Sequence, residues 1–118
     1  MRLGTIDVGS QSIRMSIFEF SEAGLEAIHS DFEAIALGRQ GFDEPVLPGA
    51  VIKDLVALFH RYSTVFDAYD VQVYSAVATS AMRNLKNGQE VIDTLRSETR
   101  LEVVIIDGEE EAELSCQG

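Results

Sequence analysis

The chain is poor in cysteine and in basic residues, and it lacks a long apolar run. Its single cysteine, Cys116, excludes an internal disulfide, and without a signal peptide this predicts a cytoplasmic location. No segment approaches the length of a membrane span, so a membrane protein is not expected. Nine Lys and Arg against 20 Asp and Glu give a net charge of −11, which argues against nucleic-acid binding. A polyanion site would have to use few cations together with backbone amides.

What is present is sufficient for one folded domain. The chain has 118 residues, of which 46% are hydrophobic, and this length and content can supply a real core. Residues 1–118 are therefore expected to form a single domain. The acidic stretch from Asp107 to Glu113 is followed by no terminating loop signal. We therefore expect the chain to end in the middle of a longer protein.

The hydrophobic periodicity changes along the chain from two residues to three or four, which predicts strands first and helices later. Five strands are predicted, over residues 2–7, from residue 13, and over 25–37, 71–77 and 103–106. Helices are predicted from residue 50, over 82–85 (a short one), from residue 87 and over 109–117. Setting the short helix aside, the order βββαβαβα predicts an α/β fold with a mixed five-stranded sheet and helices on its faces. This order resembles the ribonuclease H-like lobe of the actin, Hsp70 and sugar-kinase fold.

Two local patterns give sharper expectations. Asn87, with Glu90 three residues later, is typical of a helix N-cap. The continuous apolar run from Val103 to Ile106 predicts a central strand that is covered on both faces.

Candidate site residues follow the carboxyl ends of three strands, where ligands bind in open α/β sheets. Phosphate could be bound by small and polar residues after the first strand and by hydroxyls and a guanidinium after the fourth. Asp7, at the end of the first strand, could hold a metal ion or a water, and a glutamate after the fifth strand could act as general base. The phosphate-binding candidates are Gly9, Ser10, Gln11, Ser12, Thr79, Ser80 and Arg83. Each stretch taken alone also fits an ordinary turn, a helix cap or a solvated helix face.

Four motifs in order resemble the exopolyphosphatase and guanosine pentaphosphate phosphatase family (Ppx/GppA). They are Asp7-x-Gly9-Ser10-x-Ser12-x-Arg14, Leu37-Gly38, Ala78-Thr79-Ser80-Ala81-x-Arg83-x-x-x-Asn87 and Gly108-x-Glu110-Glu111-Ala112. The runs that follow the fourth and fifth strands, Ala78-Thr79-Ser80-Ala81-x-Arg83 and Gly108-x-Glu110-Glu111-Ala112, are the most selective of these. The resemblance covers nearly the whole chain and implies the N-terminal domain of such a protein.

The resemblance implies roles for individual residues. Glu111 matches the catalytic base that activates the attacking water, and Arg83 matches a phosphate-binding arginine. Gly9, Ser10 and Gln11 match the first phosphate-binding loop, and Asp7 matches the acidic residue near the metal and phosphate. The family releases the terminal phosphate of inorganic polyphosphate or of the guanosine pentaphosphate pppGpp, usually with Mg²⁺.

The chain departs from the family pattern at two positions. Gln11 stands where the family usually has Asn, and Glu113 stands where it often has Arg. The second phosphate loop belongs to the family's next domain, so the isolated chain is expected to be inactive. The full-length protein is expected to form a homodimer. Two alternatives stay open: a non-hydrolytic regulator that binds ppGpp or another nucleotide, and, by fold analogy, a kinase or chaperone lobe.

Overall fold

The computed structural model describes residues 1–9, 12–34, 46–78 and 85–106. The elements are β1 (Arg2–Val8), β2 (Ile13–Ser21), β3 (Gly24–Glu33), α1 (Gly49–Ala68), β4 (Val73–Ala78), α2 (Gly88–Thr99) and β5 (Val104–Ile105). The predicted order is confirmed from the first strand to the fifth. The helix predicted over residues 109–117 and most of the short helix predicted near Arg83 lie outside the described residues.

The strands form one mixed sheet in the order β3-β2-β1-β4-β5. The first three strands form an antiparallel meander. β4 runs parallel to β1, and β5 runs parallel to β4. Parallel neighbours need a crossover connection, which α1 and α2 supply. The mixed five-stranded α/β sheet predicted from the sequence is therefore confirmed.

The core lies on one face of the sheet. Ile13, Met15 and Ile17 of β2 are fully buried, as their period of two predicted. The buried stripes of both described helices join this cluster, which includes Phe59 of α1 and Leu95 of α2. Both helices therefore cover the same face of the sheet.

The opposite face is open within the described part of the chain. Thr5 and Asp7 are exposed on it, between the buried residues of β1. The first strand is therefore buried on one face and exposed on the other. Five apolar residues are also more than half exposed, and the strand register assigns them to the open face: Phe20, Leu25, Phe32, Val73 and Val104.

The prediction for the fifth strand is wrong in its position. β5 pairs with β4 alone, and it forms the edge of the described sheet. Val104 is 55% exposed, whereas Val103 and Ile106, which flank the two-residue strand, are buried. The apolar run is explained by these flanking side chains, which pack into the core from beside a short strand.

The N-cap prediction is correct in place and wrong in mechanism. Asn87 is the N-cap residue of α2, but its side chain makes no capping hydrogen bond. It instead exchanges two hydrogen bonds with the main chain of Leu47. A contact between residues 40 positions apart cannot be read from local spacing, whereas a cap can.

Candidate active site

The three parallel strands end at the same level of the sheet. Val8 of β1 is in register with Ala78 of β4, and Ala78 is in register with Ile105 of β5. The N–H of Ile106 donates to the Ala78 carbonyl at 2.9 Å, so the alignment continues past the strand end. Neighbouring strands lie about 4.8 Å apart, so the three connections begin within roughly 10 Å of one another. The predicted convergence of these connections on one sheet edge is therefore confirmed at their starting points.

Asp7 occupies the last exposed position of β1. The buried side chains of Ile6 and Val8 flank it and direct its carboxylate to the open face. Its register partners are Arg14 on β2 and Val77 on β4. Among the described residues, no hydrogen bond or ion pair occupies this carboxylate. It is therefore available to an incoming cation or water.

The turn after β1 is closed by main-chain atoms. The N–H of Gly9 donates to the Ser12 carbonyl at 2.9 Å. A Cβ atom on Gly9 would lie 3.2 Å from that same oxygen, which explains why a residue without a side chain fits here. Because the Gly9 amide is engaged in the turn, we expect Gly9 to shape the phosphate loop rather than to supply a free N–H.

Several predicted site residues lie outside the described part of the chain. Of the proposed set, the structure describes Asp7, Gly9 and Ser12. The roles of the others stay predictions; these are Ser10, Gln11, Thr79, Ser80, Arg83 and Glu111. The structure shows that the connections carrying these residues start at the same end of the sheet, where the three parallel strands finish.

The described residues fit a magnesium ion that is held mainly by its substrate. Within residues 1–9, 12–34, 46–78 and 85–106, no group of three His, Cys, Asp or Glu side chains could hold a metal ion. Mg²⁺ in phosphoryl-transfer sites is commonly bound by one or two carboxylates, with phosphate oxygens and waters as the remaining ligands. Within the described residues, the exposed carboxylate of Asp7 is compatible with that mode.

Two structural features involve residues that were not among the predicted site residues. Arg14 stands opposite Asp7 on the open face, and its guanidinium carbon lies 5.8 Å from the centre of the Phe32 ring. This arrangement puts a cation next to the predicted phosphate loop. Asn87 is the second feature, because it fastens the chain after the β4 connection. Both residues belong to the family motifs quoted above, and this is the signal by which the sequence could have identified them.

Comparison with known proteins identifies the class. The sequence profile of the Ppx/GppA phosphatase family matches residues 16–118. The crystal structure of the Aquifex aeolicus Ppx/GppA family member superposes with a TM-score of 0.90 and 30% identity, over 94% of this chain and 36% of that one. The chain belongs to the Ppx/GppA phosphatase family.

Further relatives agree with this assignment. An exopolyphosphatase from Cytophaga hutchinsonii matches with a TM-score of 0.89 and 26% identity, over 97% of this chain and 36% of that one. Exopolyphosphatase 1 of Mycobacterium tuberculosis is 26% identical over 98% of this chain and 34% of its own length. The chain thus spans about a third of the length of these relatives. The names of these relatives support a hydrolase of the phosphatase type.

No helix within the described ranges has the length and apolar character needed to cross a membrane.

Proposed function

We propose that this chain is the N-terminal catalytic domain of a phosphohydrolase that releases the terminal phosphate of inorganic polyphosphate, of pppGpp, or of both. One observation carries the proposal: the motif-bearing connections of a Ppx/GppA family member begin at one level of one sheet edge. The exopolyphosphatase names of the relatives support a polyanionic phosphate substrate.

The proposed reaction is in-line attack of water on a terminal phosphorus. Glu111 accepts a proton from the attacking water, and the bond from the terminal phosphorus to the bridging oxygen breaks. Arg83 and the hydroxyls of Thr79 and Ser80 stabilise the charge on the transferred phosphate. Loop amides after Gly9 hold the same group from the β1 side.

Mg²⁺ is the proposed cofactor, with Asp7 as the side chain that holds it directly or through water. When bound, the ion neutralises phosphate charge. This contribution matters in a chain with a net charge of −11, because the protein offers few cations of its own. Asp7 would orient the ion and its waters toward the phosphate loop.

A further domain is proposed to complete the site, because this chain is about a third as long as its relatives. The isolated chain is then expected to bind phosphate weakly and to release none. The preference between polyphosphate and pppGpp is assigned to the part of the site that this chain does not contain. We also propose that the complete protein is a cytoplasmic homodimer.

The test is phosphate release by the complete protein, from long-chain polyphosphate and from pppGpp, with and without Mg²⁺. We expect release from at least one substrate, dependence on Mg²⁺, and loss of turnover in Glu111→Gln with substrate binding retained. Asp54→Asn, which alters an exposed carboxylate on α1, is the matched control and should behave as wild type. Absence of release from both substrates would contradict the proposal.

The departures at Gln11 and Glu113 favour one alternative, a non-hydrolytic domain that binds ppGpp or another nucleotide. A longer amide in the loop and a carboxylate in place of a cation both weaken contact with a phosphate that must be cleaved. Retained nucleotide binding without any release would support this alternative. Gln11→Asn and Glu113→Arg would then be expected to restore hydrolysis.

A further inference from the structure

The Asn87 side chain makes a reciprocal contact with the main chain of Leu47. The Leu47 N–H donates to Oδ1 of Asn87 at 3.0 Å, and Nδ2 of Asn87 donates to the Leu47 carbonyl at 3.1 Å. Leu47 is 2% exposed, so its main-chain groups need partners from the protein. A carboxamide offers both a donor and an acceptor on one short side chain. The Asn87 side chain thus pairs with the N–H and the carbonyl of Leu47, as a neighbouring strand would.

This contact is separate from helix capping. Asn87 is the N-cap residue of α2 by position, yet its side chain makes no bond to the first turn. The helix begins through the main chain, since the Val91 N–H donates to the Asn87 carbonyl at 2.9 Å. A role in starting the helix therefore does not explain why an amide side chain stands here.

Asn87 lies at the far end of the connection that leaves β4. The near end is fixed, because Ala78 is buried and paired with both neighbouring strands. At the far end, Leu85 is buried and closes a turn with the Gly88 N–H at 3.3 Å. Within the described ranges, the two hydrogen bonds between Asn87 and Leu47 are the side-chain hydrogen bonds that join residues 85–88 to another segment.

We infer that Asn87 is a positioning residue for phosphate binding. It holds residues 85–88, at the far end of the connection after β4, against the segment that enters α1. This inference rests on the proposed function, which assigns phosphate binding to Thr79, Ser80 and Arg83 of that connection. Misplacing a binding group by about 1 Å can cost on the order of 100-fold in rate, so loss of one fastening point should lower kcat/KM.

The decisive variant is Asn87→Asp in the complete protein. Asp is as good an N-cap as Asn, so a capping role predicts wild-type kinetics. The positioning role predicts failure, because Asp keeps the acceptor for the Leu47 N–H but sets a carboxylate against the Leu47 carbonyl. For whichever substrate the wild type hydrolyses, we expect KM to rise by about tenfold or more, because a group that binds the phosphate is displaced. The unfolding midpoint should fall by no more than about 5 °C, as for the loss of one hydrogen bond.

Asn87→Ser is the second variant, since it removes the pair without adding a charge. It should raise KM as Asn87→Asp does, and hydrogen exchange at the Leu47 amide should become at least about tenfold faster as that bond is lost. Gln89→Ala is the matched control, because Gln89 is exposed on the same helix and bonds only to Asp93 among the described residues. It should leave both KM and Leu47 exchange unchanged.

The outcomes separate the two proposals. An active wild type with unchanged KM in both Asn87 variants would overturn the positioning role and leave the proposed function intact. A wild type that releases phosphate from neither substrate would overturn the proposed function, and the positioning role would fall with it.

Discussion

Tyr62 is a buried residue whose hydroxyl has no partner within the described part of the chain. The side chain is fully buried on α1, next to Phe59. An unsatisfied buried hydroxyl costs about 1–3 kcal/mol. Tyr62→Phe removes that hydroxyl and keeps the ring, so we expect the free energy of unfolding to rise by roughly 1 kcal/mol, measured by urea denaturation.

Tyr69→Phe is the matched control for this prediction. The Tyr69 hydroxyl contacts Nδ1 of His29 at 3.3 Å, so its removal deletes a bond and should lower stability by about 0.5–1 kcal/mol. A loss of stability in Tyr62→Phe as large as that in Tyr69→Phe would contradict the assignment of an unpartnered hydroxyl.

The Tyr62 hydroxyl should also make the stability of the fold depend on pH in the alkaline range. Burial, and next to it the negative charge of Asp31, raises the pKa of Tyr62 to about 12. In the unfolded chain a tyrosine titrates near pH 10. The unfolded state therefore loses its proton first, so stability is complete below pH 10 and falls as pH rises from 10 towards 12. Denaturation curves at pH 9 and pH 11 should show a larger loss in wild type than in Tyr62→Phe; equal losses would count against this explanation.

Gly4 makes room for an aromatic ring. A Cβ atom at this position would lie 2.7 Å from Cζ and 2.8 Å from Cε1 of Phe66. The ring is buried and also lies beside the tilted ring of Tyr74, at 6.0 Å between ring centres. Because the ring has little space to withdraw, we expect Gly4→Ala to destabilise the fold by about 1–3 kcal/mol in thermal or urea unfolding.

Two further variants make the Gly4 prediction specific. Gly49→Ala is the control, because nothing lies within 4 Å of a Cβ atom there and alanine favours the helix by up to about 1 kcal/mol. Phe66→Leu in the Gly4→Ala background should cost less than the two single changes added together. Strict additivity would show that the two side chains do not compete for one space.

At the scale of single elements, α2 ends in a strained residue. Arg100, its C-cap, has φ of 66° and ψ of 6°, in the left-handed region, and its N–H donates to the Arg96 carbonyl at 2.9 Å. Glycine accepts this conformation without a steric penalty, whereas other residues bear a cost of about 1 kcal/mol. Arg100→Gly should therefore raise the free energy of unfolding by roughly 0.5–1 kcal/mol.

Arg100→Ala separates conformation from charge. It removes the guanidinium but keeps a Cβ atom, so we expect no gain in stability. A gain in Arg100→Ala equal to that in Arg100→Gly would instead assign the effect to the lost charge.

The elements differ in how well the sequence predicted them. β2 was predicted correctly because alternation within one strand is a local property that the sheet preserves. β5 was assigned to the wrong place because a continuous apolar run does not distinguish a covered central strand from a short edge strand with buried flanks. Asn87 was assigned a cap because its true partner, Leu47, lies 40 residues away.

Some features of the candidate site could also be predicted from the sequence, and others could not. Convergence follows from parallel strands, and the aligned ends at Val8, Ala78 and Ile105 confirm it for the starting points of the three connections. The resemblance in motifs supplied the family, which the profile match confirms. The engagement of the Gly9 amide by the Ser12 carbonyl could not be predicted, because a phosphate loop and a closed turn use the same small residues.

For the whole molecule, charge is the dominant feature. The chain carries 20 acidic and nine basic residues, so the compact state brings many like charges together. The ion pairs of the described residues include Arg61 with Asp31 and Arg96 with Asp93, and both are exposed. Such pairs are worth less than about 1 kcal/mol each. Net repulsion should therefore outweigh local attraction.

This balance predicts that salt stabilises the fold. Raising NaCl from 10 to 300 mM shortens the screening length and weakens long-range repulsion, so we expect the unfolding midpoint to rise by about 2–5 °C at pH 7. The gain should disappear near pH 4.4, the sequence pI, where the net charge is close to zero. Sucrose at the same molarity, which does not screen charge, is the control. A midpoint that falls with salt at pH 7 would mean that exposed ion pairs, rather than net charge, govern the electrostatics of this domain.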